Sequence, residues 1–430
     1  MDTDEVSTRK RVSLSEIKPG MYVVGFDRSW LETPFFFHRK LIRNTEEIEL
    51  LKDYGIREVV IDTARGADVE GIRPEPPPVT LARAATKNKA APGTIPKTRS
   101  ASLSETAFRP LAKELHVARR IHDQAVTTAQ SVFEGIGRRS YVSSPAVKKV
   151  VTDLLGSITR SPEANLFLTQ MHRFQDDLFT HSLNVCVLSL VVGTLENLES
   201  EISALGLGAL LHDVGQTRIP RNLLRKQGRY TEPERELIEQ HPRLGAILLK
   251  QSENIPEIAQ RIAIEHHERI DGSGYPCGIR GAQISLLSQI VGITDTYDLL
   301  LTGRKQAALQ PIEVLREWYL QANAGAFDPD LIERIIRCLG VYPIGSLVEV
   351  NTGERGIVIA ANRADSLRPT LRIISSRGGR AESNGGVISL TDRDFGSVDR
   401  RIVRALHPAK ERVDLMAYLK PSPALPGVTQ

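Results

Sequence analysis

Residues 202–215 read Ile-Ser-Ala-Leu-Gly-Leu-Gly-Ala-Leu-Leu-His-Asp-Val-Gly. From Ala204 to Leu211 no position is charged, so the run has no polar face for water and reads as a buried helix. His212 and Asp213 emerge where that helix meets the break at Gly215. A carboxylate placed at the edge of an apolar core costs several kcal/mol unless something shares its charge, so the next question is what the rest of the chain brings to it.

Working outward, His181 stands just before the apolar run Val185–Leu195, and His241 precedes Pro242. His266 and His267 end the partly apolar helical stretch Pro256–Glu265. Directly after them comes the glycine-rich loop Asp271-Gly272-Ser273-Gly274-Tyr275-Pro276. Asp295 and Asp298 lie in the apolar stretch Ile290–Leu301, and five of the ten histidines fall between 181 and 267. Singly, each of these is a helix cap or a hydrogen-bonded core residue. Together, imidazoles and carboxylates at the ends of several apolar helices need a common partner to offset desolvation, and a divalent metal is the simplest one. Mixed His and Asp donors suit Fe, Mn, Zn or Ni better than Mg or Ca. A carboxylate can bridge two ions, and two ions about 3.5–4 Å apart suit hydrolysis of a phosphate ester.

The remainder of the chain sets the frame. Its 430 residues suggest two to three domains. With 41% hydrophobic and 25% charged residues the balance is that of a globular protein. A net charge of +4, from 56 basic and 52 acidic residues, is too mild and too mixed to argue for a nucleic acid polymer. Cys186, Cys277 and Cys338 form no disulfide framework, and Met1–Arg11 has no apolar core for an export signal. The run Val185–Leu195 falls far below the roughly 20 residues of a membrane span, so the expectation is a cytoplasmic protein without a membrane segment.

Residues 1–64 read as a small α+β module. Its helix is capped at Asn44 and closes near Gly55, and a strand follows at Arg57–Asp62. Residues 65–103 are a Pro/Ala-rich linker and 104–143 a connecting helix, patterned from Ser104 to Ile136. The apolar stripe of that helix, which the small module is too short to cover, predicts a homodimer. Residues 144–340 are a helical domain, 341–420 a small β-containing appendage with a hairpin at Asn351-Thr352-Gly353-Glu354, and 421–430 a frayed tail. The fold class is mainly α.

In their order, the motifs HDVG (212–215), RIPRNLLRKQGRYT (218–231), the pair His241-Pro242, HHERIDGSGYP (266–276) and ITDTYDLLLTGR (293–304) resemble the HD-GYP domain, a bacterial branch of the HD metal-dependent phosphohydrolases. The resemblance covers about 200 residues. Residues 13–24, SLSEIKPGMYVV, resemble the small domain of unassigned function that often precedes HD-GYP domains. The resemblance implies an HD-type helical bundle that hydrolyses cyclic di-GMP to pGpG, and in some members onward to GMP, with a hydroxide held between two metals attacking phosphorus in line. It implies His181, His212, Asp213, His241, His266, His267 and Asp295 as ligands of two Fe or Mn ions, with Asp213 bridging. A third ion would be held with Asp177, where relatives carry the longer Glu. Arg304 matches a residue that contacts substrate phosphate. Gly274, Tyr275 and Pro276 match the signature loop, which the family uses near the site and in contacts with partners such as diguanylate cyclase (GGDEF) domains. Glu268 and Asp271 orient that loop or cap it, and Asp298 orients a ligand or is an ordinary helix residue.

One position departs from the pattern. Where the family usually has a lysine at substrate phosphate, this chain has Gln216. A neutral amide keeps a hydrogen bond but loses its charge-assisted part, about 10- to 30-fold in binding or rate, unless Arg218 reaches in. The expectation is therefore a cyclic di-GMP phosphodiesterase of reduced turnover. The alternative is a catalytically weak cyclic di-GMP receptor using the same metal site. Hydrolysis of another nucleotide and a metal-free interaction scaffold are the remaining readings.

Overall fold

The computed structural model describes residues 9–26, 40–53, 56–68, 102–139, 141–172, 178–226, 228–303, 308–362, 365–376, 386–391, 399–408 and 410–418. Most of the Pro/Ala-rich segment 65–103 and all of the tail 421–430 lie outside them. The chain divides into two compact units, Met1–Ser102 and Leu103–Gln430.

In the first unit, β1 (Arg9–Ser13), β2 (Tyr22–Phe26), β3 (Lys40–Leu41), α1 (Thr45–Asp53) and β4 (Glu58–Asp62) follow in order. The strands form an antiparallel sheet in the order β1-β4-β2-β3. The cap of α1 is the one its sequence announces, since the Glu47 N–H donates to Asn44 Oδ1 at 3.0 Å. Val23, Leu51 and Ile61 are fully buried at the centre of a small core with Leu14, Met21 and Val59.

The second unit is helical, with α2 (Ser102–Arg139), α3 (Ser144–Arg160), α4 (Pro162–His172), α5 (Leu178–Leu195) and α6 (Ile202–Leu211) leading to a 3-10 turn at Val214–Arg218. Then come α7 (Arg221–Leu224), α8 (Glu232–Ile238), α9 (His241–Lys250), α10 (Glu257–Glu265), α11 (Leu286–Thr302), α12 (Pro311–Asn323) and α13 (Pro329–Leu339). Strands β5 (Leu347–Val350), β6 (Arg355–Ala360), β7 (Thr370–Ser375), β8 (Val387–Ser389) and β9 (Ile402–Leu406) make an antiparallel sheet in the order β8-β7-β6-β5-β9, and α14 (Leu415–Tyr418) follows. The hairpin read at Asn351–Glu354 joins β5 to β6, with Gly353 in the left-handed region at φ 86°. The fold is mainly α with small sheets toward each end.

Helix α2 buries Leu111, Leu115, Ala118, His122, Ala125, Ala129, Val132 and Ile136, alternating steps of four and three. The cover comes from the same chain. His122 Nε2 meets Asn165 Oδ1 of α4 at 3.1 Å, Arg160 at the end of α3 pairs with Glu114, and Phe133 meets Phe179 of α5 edge-on with centroids 5.6 Å apart. The stripe that predicts a homodimer from sequence is therefore covered within the chain.

Helix α5 is the centre of the bundle and packs against α3, α4, α6, α11 and α13. It is longer than the run Val185–Leu195 suggests, because the polar residues Thr180, His181, Ser182 and Asn184 are buried along with the apolar ones. At 18 residues and a mean hydropathy of 1.7 it is, by length and composition alone, long and apolar enough to cross a bilayer. Here 78% of it is buried inside the protein.

Two glycines fix how closely the bundle closes around its centre. A Cβ on Gly215 would lie 1.9 Å from the His241 carbonyl oxygen and 2.5 Å from the Gly245 nitrogen, so only glycine lets the 3-10 turn rest on the start of α9. A Cβ on Gly292 would lie 2.4 Å from the His266 carbonyl oxygen, so α11 packs directly on the end of α10. Both obstacles are backbone atoms, which cannot step aside. Gly215→Ala is expected to cost about 3 kcal/mol of stability, read as a lower urea midpoint at unchanged m-value, and an unshifted midpoint would show that the turn has slack.

Candidate metal centre

Five helices or their ends deliver the site. His181 lies in the first turns of α5, His212 caps α6, His241 opens α9, His266 caps α10 with His267 beside it, and Asp295 lies mid-way along α11. Asp213 heads the 3-10 turn whose next glycine is Gly215. The imidazoles of His181, His212, His241 and His266 and the carboxylates of Asp213 and Asp295 are all buried, and His267 is half-buried.

The hydrogen bonds aim the rings. Nδ1 of His212 bonds the Ala209 carbonyl at 2.7 Å, Nδ1 of His241 the Ile238 carbonyl at 2.8 Å, and Nδ1 of His266 the Ala263 carbonyl at 2.9 Å. A carbonyl only accepts, so each Nδ1 carries the hydrogen and each Nε2 keeps its lone pair for the centre. In His181 a carboxylate replaces the carbonyl, with Asp298 Oδ2 2.7 Å from Nδ1 and Asp298 Oδ1 accepting from Asn184 Nδ2 at 2.9 Å.

Asp213 faces two ways. Its Oδ1 lies 3.1 Å from His241 Nε2 and 3.8 Å from His266 Nε2, and its Oδ2 lies 3.7 Å from His181 Nε2 and 3.6 Å from His212 Nε2. Two ligand sets result, Asp213-His241-His266-His267 and His181-His212-Asp213, each with its ligand atoms within 4.8 Å of one another and Asp213 common to both. Asp295 stands beside them, with Oδ1 3.0 Å from His181 Nε2 and Oδ2 3.8 Å from His267 Nδ1. His181 Nε2, His212 Nε2 and Asp213 Oδ1 are buried without a hydrogen-bond partner. Buried polar atoms aimed into one place and not fully satisfied by hydrogen bonds fit a cation, because a cation satisfies all of them at once.

The charges respond to this crowding. Burial alone would lower the pKa of His181, but the carboxylates of Asp295 and Asp298 outweigh it and push the value up to about 10. Burial, with His212 and His241 alongside, pushes His266 down to about 3, and burial with His266 and His241 holds His267 well below its ordinary value. Burial would raise Asp213, yet His212 and His241 hold it well below the usual carboxylate range. Asp295 is likewise lowered against burial, chiefly by His181.

The signature loop folds over this cluster. A Cβ on Gly274 would meet the Arg269 nitrogen and the His267 carbonyl oxygen at 2.5 Å, so the loop lies flat against the double histidine. The Tyr275 ring stacks 4.6 Å from His267, and burial, with Asp295 next, pushes its hydroxyl pKa up. Arg243 Nη2 donates to the Pro276 carbonyl at 2.8 Å. Glu268 and Asp271 both hold the loop, the first accepting from the Cys277 N–H at 2.6 Å and the second from the Ser273 N–H at 2.9 Å. Gln216 is half-buried in the turn after Asp213, its own N–H donating to the Asp213 carbonyl, and Arg218 is exposed. Asp177 and Arg304 lie outside the described residues.

Two contributors escape a reading of the sequence. Asn184 is fully buried and steadies Asp298, and its signal is only its place one turn after His181 in an otherwise apolar helix. Arg269 stacks on Phe327 at 4.6 Å and donates to the Glu268 carbonyl at 2.9 Å, joining the double histidine to the segment before α13.

A helical bundle closing five imidazoles and two carboxylates around one point defines a metal-binding helical domain. Comparison with known families agrees: residues 177–331 match the HD domain, and residues 9–144 match a domain of unknown function, DUF3391. The chain therefore carries an HD domain behind a DUF3391 domain, and an HD domain implies divalent-metal binding. A cyclic di-GMP phosphodiesterase of Pseudomonas aeruginosa is 28% identical over 90% of this chain and 91% of its own. The cyclic di-GMP phosphodiesterase response regulator RpfG of Xanthomonas campestris is 36% identical over 35% of this chain and 40% of its own. Among solved structures, an HDG"Y"P protein of Bdellovibrio bacteriovorus aligns with a TM-score of 0.45 at 17% identity, covering 76% of this chain and 98% of that one.

Asp298→Asn keeps the shape of the His181 contact but removes the carboxylate that steers the ring. Metal affinity is expected to fall about 10- to 100-fold by competition with a chelator of known affinity, and wild-type affinity would show that Asn184 and the helix alone position His181.

Proposed function

We propose that this chain is a metal-dependent phosphodiesterase of HD-GYP type that hydrolyses cyclic di-GMP to pGpG in bacterial second-messenger signalling. The observation that carries the reading is Asp213, whose two carboxylate oxygens face separate histidine sets across a buried centre. The names of relatives and the loop Asp271–Pro276 over that centre support the substrate class.

Two divalent ions, with Fe or Mn favoured by the mixed His and Asp donors, would supply Lewis acidity toward a phosphate and an activated water. His181, His212, Asp213, His241, His266, His267 and Asp295 would hold them, and this chain's residues do the remaining work. The backbone carbonyls fix three rings, Asp298 and Asn184 fix the fourth, and Asp213 sets the spacing of the two sets. Such chemistry requires no side-chain nucleophile, so it asks the protein for placement and charge. Tyr275 offers a ring beside the double histidine against which a base or sugar can lie. The exposed Ser273 and Cys277 leave the loop open to a protein partner, for which a diguanylate cyclase domain is the proposal that follows from the loop.

Incubating Mn- or Fe-loaded protein with cyclic di-GMP is expected to yield pGpG by chromatography, with product reduced to background in Asp213→Ala. Binding of cyclic di-GMP without product would instead establish the receptor reading, and neither binding nor product would remove both.

Gln216 is the observation that favours the receptor reading, because a neutral amide occupies the turn beside Asp213. Gln216→Lys is expected to raise turnover about 10- to 30-fold if the amide limits the parent. An unchanged rate would mean that position 216 does not face the substrate phosphate.

A further inference from the structure

Away from the metal centre, a half-open cavity of about 160 Å³ lies between the helical bundle and the C-terminal sheet. Its walls come from five places in the chain: the end of α4 (Gln170, Met171), the start of α12 (Gln310, Pro311), the entry to β5 (Gly345, Ser346, Leu347), the end of β9 (Ala405, Leu406) and the segment into α14 (Val413, Leu415). Well-packed interiors leave few voids larger than a water, and an apolar cavity of about 150 Å³ is enough to take up benzene.

The lining is mostly aliphatic, yet two neutral polar groups in it are unspent. Gln170 is 6% exposed, and its side-chain amide makes no hydrogen bond among the described residues. Ser346 is 8% exposed and its Oγ has no partner. Of the other polar residues of the wall, Gln310 stands at the N-cap of α12, where its N–H donates to Glu313 Oε2 at 2.6 Å, and Asp414 Oδ1 accepts from the Met416 N–H. The approach is also built rather than loose. Gly345 takes φ 92° and runs so close to α4 that a Cβ would sit 3.1 Å from the Phe167 ring and 3.3 Å from Gln170 Cβ. That close passage brings Ser346 and Gln170 to the same wall.

We propose that this cavity is a binding site for a small neutral molecule with an apolar body and a single hydroxyl or N–H group, of benzene to indole size. The amide of Gln170 and the hydroxyl of Ser346 would satisfy the polar group, while Met171, Leu347, Leu406 and Leu415 would surround the ring. A ligand there would tie the bundle to the sheet, since α4 and α12 belong to one and β5 and β9 to the other.

The full chain is titrated with phenol and, as a probe of equal size lacking the hydroxyl, toluene. One saturable phenol site per chain is expected by calorimetry, with toluene about tenfold weaker because it leaves both polar groups unpaired. Ala405→Trp fills the cavity and is expected to abolish the phenol site. Gln170→Leu keeps the volume and is expected to weaken phenol about tenfold while leaving toluene unchanged, which keeps the test intact should the tryptophan variant not fold. Absence of saturation, equal binding of phenol and toluene, or phenol binding untouched by both variants would overturn the proposal. Because every readout is binding, failure here leaves the phosphodiesterase reading standing, and failure of that reading leaves this one.

Discussion

Two buried carboxylates are the constraint on which this molecule turns. Asp213 and Asp295 are both nearly fully buried, and a lone buried carboxylate is costly enough to unfold a marginal domain. The fold answers by surrounding them with imidazoles from α5, α6, α9 and α10, so that the helices supplying the apolar core also supply the compensating charge. Core and site are therefore one object. His181 sits between two carboxylates, its Nε2 3.0 Å from Asp295 Oδ1 and its Nδ1 2.7 Å from Asp298 Oδ2.

Closeness is then a matter of backbone. Gly215 lets the turn carrying Asp213 touch the first residue of α9, and Gly292 lets α11 touch the last turn of α10. In both places the neighbour is a carbonyl oxygen of a histidine, His241 or His266, so the glycines govern distances between ligands as well as packing. A methyl group at either would separate helices that must meet to within a few ångströms at the centre.

Much of this was legible in the chain before its coordinates. The uncharged run Ala204–Leu211 announces a buried helix, and a His-Asp pair at its end announces a need for compensation, because burial and charge conflict locally. The caps at Asn44 and the hairpin at Gly353 were legible for the same reason: each is decided within a few residues. What could not be read depends on pairings far apart. Asp298 is ambiguous until it meets His181 and Asn184, 117 and 114 positions away. The stripe on α2 says that something covers it, yet an apolar surface carries no label for its partner, and α3, α4 and α5 serve as well as a second copy. The five-stranded sheet was reduced to its one hairpin because β8 and β9 join β7 and β5 across long connections that leave no local mark.

The electrostatics around the loop give position 216 its weight. Among the described residues, the arginines nearest the centre are committed to structure: Arg269 lies over Phe327 and donates to backbone carbonyls, and Arg243 holds the Pro276 carbonyl. A guanidinium already spent on fixing the loop has fewer donors left for an anion. An anionic diester entering this site would meet few uncommitted guanidinium donors among the described residues, and ions in the histidine sets would share in its charge neutralisation. A cation in the turn after Asp213 would add to that neutralisation without disturbing any existing contact, since no side-chain partner is assigned to Gln216 there. The turn itself is held by its main chain, with the Gln216 N–H donating to the Asp213 carbonyl at 2.9 Å, so the architecture of the centre does not depend on which side chain stands at 216.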